Sequence, residues 1–321
     1  MSRAVRIPFR IPPAGSKPFD VVGFGLNSVD LLAVVAEFPH SNSKQRLQRF
    51  ARLPGGQIAT AMAVCARLGL RASYLGSFGD DDLGVLSRES LTREGVEVHA
   101  ARVVRGATNQ FAIILVDARS GERTVLWDRD PALATDPTMI SREAITAGRM
   151  VVVDCHETAA AAQAARFARE AGVPTVSDIE RVRPGIADLL KHLDAIIMAQ
   201  EFPTALTGQD QLGRALQIIA RDFNAPFVCV TLGKEGSLAW CEGREIRTPA
   251  FAVDCVDSTG AGDAFRGAFA AACLRQPLDD IEAVLSYSNA VAALNCRALG
   301  ARGGLPKPEE VEQLLAANQR M

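Results

Sequence analysis

The sequence predicts an α/β protein in which a mostly parallel sheet is covered by helices on both faces. Short apolar runs alternate with alanine-rich helical stretches along most of the chain, the pattern of strands buried on both faces and joined by helical crossovers. Several runs end on glycine or a polar residue, as strands do when their loops open onto a ligand. Two stretches depart from the alternation and read as strand paired with strand.

Composition narrows the function. The chain has 321 residues, enough for one large α/β domain or two ordinary ones, and its 35 basic and 37 acidic residues leave a net charge of -2. The basic residues are scattered, so nothing marks a nucleic-acid or anionic-membrane partner, and small molecules are expected instead. No apolar run approaches the ~18 residues of a membrane span. Met1 to Lys17 carries four basic residues and three prolines but no hydrophobic signal core, so a cytoplasmic protein is expected. Seven cysteines, an odd number in apolar contexts without a C-x-x-C pair, argue for reduced thiols rather than a disulfide scaffold or structural zinc. The four histidines show no metal-ligand spacing.

Residues 1–18 read as a mobile basic arm, and residues 19–321 as the folded domain. Phe19 to Gly25 is a central strand ending in glycine, followed by a loop with Asn27 and Asp30. Gly55 and Gly56 lead into a helix from Ile58 to Leu68 that stops at Gly69, a C-cap residue. Ala72 to Gly76 begins the next strand. The alternation continues with strand Met150 to Val153, helix Ala159 to Ala171, strand Thr175 to Ser177, helix Ile186 to His192 and strand Ala195 to Met198. Helix Gln211 to Phe223 and strands Phe227 to Thr231 and Ser237 to Cys241 follow, and a later helix runs from Ser286 to Cys296. Asn27, Asp30, His156, Glu157, Asp178, Glu180 and Gly233 fall just past strands, where they can converge on one crevice. The exceptional stretches pair Leu31 to Val35 with Gln45 to Leu53, and Phe111 to Val116 with Arg123 to Asp128 through a turn at Ala118 to Glu122. They form a small sheet of their own or extend the main one.

The most informative segment is Asp257 to Phe265, Asp-Ser-Thr-Gly-Ala-Gly-Asp-Ala-Phe. Gly260 and Gly262 permit a tight turn that exposes the N–H groups of Gly260, Ala261 and Gly262, and the following helix adds its positive N-terminal dipole. Asp263, on the first turn, faces the same spot. A carboxylate beside an anion hole is the arrangement needed to take a proton from a hydroxyl as it attacks a γ-phosphate. Asp30 offers paired acceptor oxygens and Asn27 both donates and accepts, which suits a polyol. Gly55 and Gly56 allow a ligand close to the backbone, and Asn109 is a weaker candidate for substrate contact.

These features together resemble the ribokinase (pfkB) family of sugar and nucleoside kinases, over about Asp20 to Pro306. The two signatures stand as Gly55-Gly56-Gln57-Ile58-Ala59-Thr60-Ala61 and Asp257 to Phe265. The resemblance implies a ribokinase-like three-layer α/β/α core with a β-sheet lid built from about residues 31–53 and 108–128, through which a homodimer forms. It implies an ATP-dependent kinase acting on a hydroxymethyl group of a monosaccharide or related polyol, with Asp263 as general base. Thr231, Gly233, Lys234 and Gly236 match the nucleotide loop, Asn289 the position near the adenine, and Gly300 to Gly304 would close the far side of that cleft. Mg2+ is implied as a cofactor, and Asp257 and Thr259 resemble the place where relatives bind a monovalent cation such as K+. Two departures matter. The family's Asn-x-x-Glu magnesium motif falls on Ala199-Gln200-Glu201-Phe202, and the asparagine of the first signature is Thr60. The pattern is nearest the ketohexokinase and sulfofructose kinase branch, but His156 stands where an arginine would read a sulfonate. A nucleoside kinase and a non-catalytic sugar or nucleotide sensor are the alternatives.

Overall fold

The structure is a computed structural model that describes residues 4–119, 122–275 and 280–318. In chain order the strands are β1 (Phe19–Phe24), β2 (Ser28–Val35), β3 (Arg49–Gly55), β4 (Ala72–Leu75), β5 (Ser77–Gly79), β6 (Arg102–Val104), β7 (Phe111–Asp117), β8 (Arg123–Asp128), β9 (Gly148–Asp154), β10 (Thr175–Asp178), β11 (Ala195–Met198), β12 (Phe227–Thr231), β13 (Ser237–Cys241) and β14 (Arg244–Thr248). The α-helices are α1 (Gln57–Arg67), α2 (Asp82–Arg93), α3 (Arg142–Thr146), α4 (Thr158–Glu170), α5 (Ile186–Leu190), α6 (Phe202–Thr207), α7 (Leu212–Phe223), α8 (Ala261–Leu274), α9 (Ile281–Asn295) and α10 (Pro308–Asn318).

Eight strands form the main sheet in the order β14-β13-β12-β11-β10-β9-β1-β4. It is parallel from β4 to β12, and the β13 and β14 hairpin closes it antiparallel. Alternate strand residues point to opposite faces, which sorts the core into two. Val21, Met150, Val152 and Ile197 pack with α1, α8 and α9. Val22, Val151, Val153 and Ile196 pack with α4, α5 and α7. The result is a three-layer α/β/α core, as the alternation predicts.

The exceptional strands form a separate four-stranded sheet, β3-β2-β7-β8. Both sequence-predicted pairs are antiparallel. A parallel register from Val29↔Phe111 to Val35↔Asp117 joins them into one lid. β2 begins at Ser28, so the lid grows directly out of the β1 loop. Within the predicted turn at Ala118 to Glu122, Ser120 and Gly121 lie outside the described residues.

The expectation of a mobile arm at residues 1–18 is corrected for residues 4–18, residues 1–3 lying outside the described ones. Val5 is buried and its carbonyl accepts from Ile281 N–H at 2.8 Å. Arg6 bridges Asp280, and Ile7, Phe9 and Ile11 pack against the core. The sequence is basic, but its apolar residues at every second position make an extended strap with one buried face. β14, α2, α10 and the parallel β5 and β6 pair are further elements that the sequence reading did not assign. Among the described residues no helix is long and apolar enough to cross a membrane. Six of the seven cysteines are buried thiols, Cys255 being exposed.

Candidate active site

The site lies at the carboxyl ends of β1, β9 and β10, where sheet order reverses around β1 and the lid begins. Gly260 caps α8 in the left-handed region, φ 74°. A Cβ there would lie 2.4 Å from the carbonyl oxygen of Ala301, so glycine is required on two grounds. The Ala261 N–H donates to Ser258 O at 3.2 Å. Among the described residues the N–H groups of Gly260 and Gly262 have no backbone acceptor, so of the three donors expected from the sequence Ala261 is already engaged and two are open.

Asp263 follows on the first turn of α8. Burial pushes its carboxyl up to about 6, with Arg266 opposing the shift and Glu180 adding to it. Its neighbour Asp178, the last residue of β10, is fully buried and held well above the usual carboxylate range, again chiefly by burial. The charge of Asp263 adds to that rise, so each carboxyl opposes the ionisation of the other. Arg266 Nε lies 3.0 Å from Asp178 Oδ1, both side chains enclosed, and Gln57 Nε2 donates to the same oxygen at 3.3 Å. A third buried carboxyl, Asp154 at the end of β9, accepts from Leu26 N–H at 2.7 Å and His156 N–H at 2.9 Å. Burial pushes it to about 7. The crevice thus has a floor of desolvated carboxyls, the setting in which a general base acquires a pKa near its working pH.

Asp30 belongs to the same field. It is 8% exposed and pushed up to about 6, first by burial and then by the charge of Asp263, with Arg302 opposing. A Cβ on Gly55 would stand 2.7 Å from its Oδ2, and one on Gly56, φ 89°, would meet Asn27 Cα at 2.4 Å. Arg302 braces this glycine turn, donating to Gly55 O at 2.8 Å, Ser90 Oγ at 3.0 Å and Thr60 Oγ1 at 3.2 Å. Segment 300–304 therefore lies under the acceptor loop and behind Gly260 rather than across the nucleotide cleft, which corrects the sequence expectation. Thr60 faces Arg302 in the interior.

The asparagines are framing groups. Asn27 Nδ2 donates to Tyr74 Oη and Ser77 O, and its Oδ1 accepts from Ser87 Oγ. Asn109 Oδ1 accepts from Gly79 N–H and its Nδ2 donates to Gln110 O. Both are 1% exposed. Asp257 is engaged likewise, accepting from the Thr259 N–H and hydroxyl on Oδ1 and from Gly300 N–H on Oδ2. Lid residue Arg123 adds an ion pair to Asp257 at 3.5 Å and a hydrogen bond to Thr259 Oγ1. With these donors in place the Asp257 carboxylate is a loop brace, a poor fit to a cation ligand. The second lid contact sets Trp127 edge-on to His156, ring centroids 6.3 Å apart.

A cleft of about 460 Å³ opens on the other side of the α8 N-terminus. Gly233, Lys234, Val253, Ala261, Asn289 and Ala292 are among its lining residues. Gly233 and Gly236 adopt positive φ, and Thr231 Oγ1 donates to Met198 O at 3.4 Å. Asn289 is buried, its Nδ2 donating to Ser237 Oγ and to the carbonyls of Thr248 and Pro249. It pins the cleft wall. Phe202, in the altered magnesium motif, is a core residue 1% exposed.

Sequence reasoning missed Asp154, Arg266 and Arg302. Signals existed for the first two: an acid closing the apolar run Val151-Val152-Val153, and one arginine inside the otherwise apolar α8. A charge in such a place is retained when something buried answers it.

A glycine turn with open N–H donors and a desolvated carboxyl thus stand between a crevice and a cleft, beside a small separate sheet. A family profile described as pfkB family carbohydrate kinase matches residues 19–308, and the chain belongs to that family. It is 31% identical over 298 residues to an ATP-dependent ribose-1-phosphate kinase of Halopiger xanaduensis, covering 92% of this chain and 98% of the relative. It is 27% identical to a probable fructokinase-4 of Arabidopsis thaliana, covering 93% and 97%. A crystal structure of a putative ribokinase from Agrobacterium tumefaciens superposes with a TM-score of 0.87 at 27% identity, covering 94% of this chain and 98% of that one.

Proposed function

We propose that this carbohydrate kinase transfers the γ-phosphate of ATP to a hydroxymethyl group of a monosaccharide or related polyol, with Asp263 as general base. The observation that carries the reading is the Asp263 carboxyl beside the open N–H groups of Gly260 and Gly262, with a pKa lifted toward neutrality. Once ionised, it takes the hydroxyl proton as the oxygen attacks the γ-phosphorus. The two N–H groups balance charge growing on the phosphoryl oxygens. Thr231, Gly233, Lys234, Gly236 and Asn289 shape the nucleotide side, and Asp30 the acceptor side. Magnesium enters with ATP, held by phosphates and water rather than by positions 199 and 202, neither of which offers an oxygen ligand on its side chain.

The relatives divide between a phosphorylated acceptor, ribose 1-phosphate, and a neutral one, fructose, by their names. The acceptor must therefore be sought in this chain's own residues. The lid's edge strand β8 is exposed on both faces, with Val125, Leu126 and Trp127 among its residues. We infer that a second copy covers this apolar edge, and light scattering should return twice the chain mass of 34.2 kDa; a monomer at micromolar concentration would contradict it.

The test of function is ADP release with magnesium and ATP over ketoses, aldoses, sugar acids, sugar phosphates and nucleosides. Selective turnover is expected on a sugar. Asp263→Asn should reduce kcat by about 10²–10⁴, the range of general-base catalysis, with ATP binding retained. Turnover unchanged in Asp263→Asn would overturn the assignment.

A further inference from the structure

We propose that the acceptor sugar carries an anionic group, a phosphate ester or a carboxylate, held beneath the lid by Arg183 with His156 and Arg129. The inference rests on the kinase reading above and concerns what that kinase phosphorylates.

Three elements bring the cluster together: His156 and Arg183 follow the carboxyl ends of the neighbouring parallel strands β9 and β10, and Arg129, after β8 of the lid, pairs with Glu157 beside His156. Arg129 is a fixed wall. Its guanidinium pairs with Glu157 and donates to Gln110 Oε1 at 3.3 Å and Leu133 O at 3.2 Å. Arg183 is different. It is half-buried, and its Nε is enclosed by protein without a hydrogen-bond acceptor. No carboxylate lies within ion-pairing distance of it among the described residues. The other arginines of the site are all engaged: Arg266 with Asp178, Arg302 with Gly55, Thr60 and Ser90, Arg123 with Asp257 and Thr259.

His156 reports the field of the cluster. Burial holds its imidazole down to about 4, and the charges acting with burial are both cationic, Arg129 and Arg183. The ring is therefore neutral at pH 7 and presents one N–H donor beside an arginine that lacks a countercharge. Trp127 reaches over the ring from the lid and covers the spot. The cluster also adjoins the acceptor crevice, because Asp154 takes the His156 N–H on one oxygen and that of Leu26, next to Asn27, on the other. A neutral polyol offers Arg183 no countercharge. A phosphate or carboxylate offers both the charge and acceptors for its planar fork of N–H donors.

The experiment compares the full chain on matched acceptors that keep a terminal hydroxymethyl group and differ in the anionic group: ribose with ribose 1-phosphate, and galactitol with galactonate. The phosphate pair and the carboxylate pair separate the two sources of the anion. The expected result is a kcat/KM about 10- to 100-fold higher for one anionic member than for its neutral partner, the worth of a hydrogen bond to a charged group. Arg183→Gln should erase that preference and leave KM for ATP unchanged, and Arg183→Lys should restore part of it. Neutral sugars turned over as well as their anionic partners would overturn the inference and leave the kinase reading standing. So would an Arg183→Gln loss that falls on ATP rather than on the acceptor. If no acceptor yields ADP, the kinase reading fails, and melting temperature decides the inference separately. A rise with ribose 1-phosphate or galactonate in the wild type that Arg183→Gln removes supports an anion site, and no rise overturns it.

Discussion

The two sides of the α8 N-terminus are built on opposite principles. On one side the cleft wall is mostly small and apolar, alanines with Gly233, Val253, Phe251 and two cysteines, joined by Ser258 and the buried amide of Asn289, with Lys234 exposed at its mouth. On the other side Asp30, Asp154, Asp178 and Arg266 are buried, with Asp263 and Arg302 half-buried among them. Burying charge is costly unless it is answered. Here the carboxyls respond with pKa values lifted to about 6 for Asp30 and Asp263 and about 7 for Asp154. Under the proposed function the contrast divides the tasks: one side recognises a shape, the other holds protons and charge at chosen atoms.

Substitutions on the two sides should therefore fail differently. The larger effect is expected from Gly260→Ala, which forces a side chain into positive φ and against Ala301 O. Distorting the anion hole should lower kcat by about 10²–10³, the cost of one lost oxyanion donor, with little change in either KM. Loss confined to KM would mean the turn only shapes binding. The smaller effect is expected from Asn289→Ala across the divide. Removing the donor to Thr248 and Pro249 should raise KM for ATP about fivefold with kcat retained, since a net hydrogen bond contributes about 1 kcal/mol and 1.4 kcal/mol is tenfold. A fall in kcat without a change in KM would break the proposed division.

The layered core was legible because period and composition both encode it. β11, β12 and β13 fall on the predicted residues, and most other predicted ends shift by one to three positions, where caps rather than the apolar pattern decide. A glycine turn with a carboxylate on the next helix is a weak signal by itself, and the Asp257 to Phe265 segment stood out only together with the Gly55 to Ala61 signature. The rest of the site arises from contacts distant in sequence. Arg302 reaches Gly55 across 247 positions, and Leu26 finds Asp154 across 128. No local pattern announces such pairs. Asn27 and Asn109 show the converse. Each looked like a ligand contact by type and position, yet each is enclosed by protein donors and acceptors. The strap at residues 4–12 was obscured by its charge, because four basic residues within residues 1–17 outweighed the alternation of Val5, Ile7, Phe9 and Ile11.

The central claim is that Asp263 is a base whose proton affinity is set by burial and by Arg266. The most direct measurement is the pH dependence of kcat/KM in the wild type and in Arg266→Gln, assayed at low temperature to keep the variant folded. Asp263 must be ionised to accept the hydroxyl proton, so the wild-type rate should fall with decreasing pH through about 6. Arg266 favours the ionised form, so its removal should move that acid limb to higher pH. Asp30 also lies near 6, but Arg266 is not among the leading charges acting on it, so movement of the limb assigns it to Asp263. A profile flat to pH 5, or a limb that stays in place in Arg266→Gln, would contradict the account.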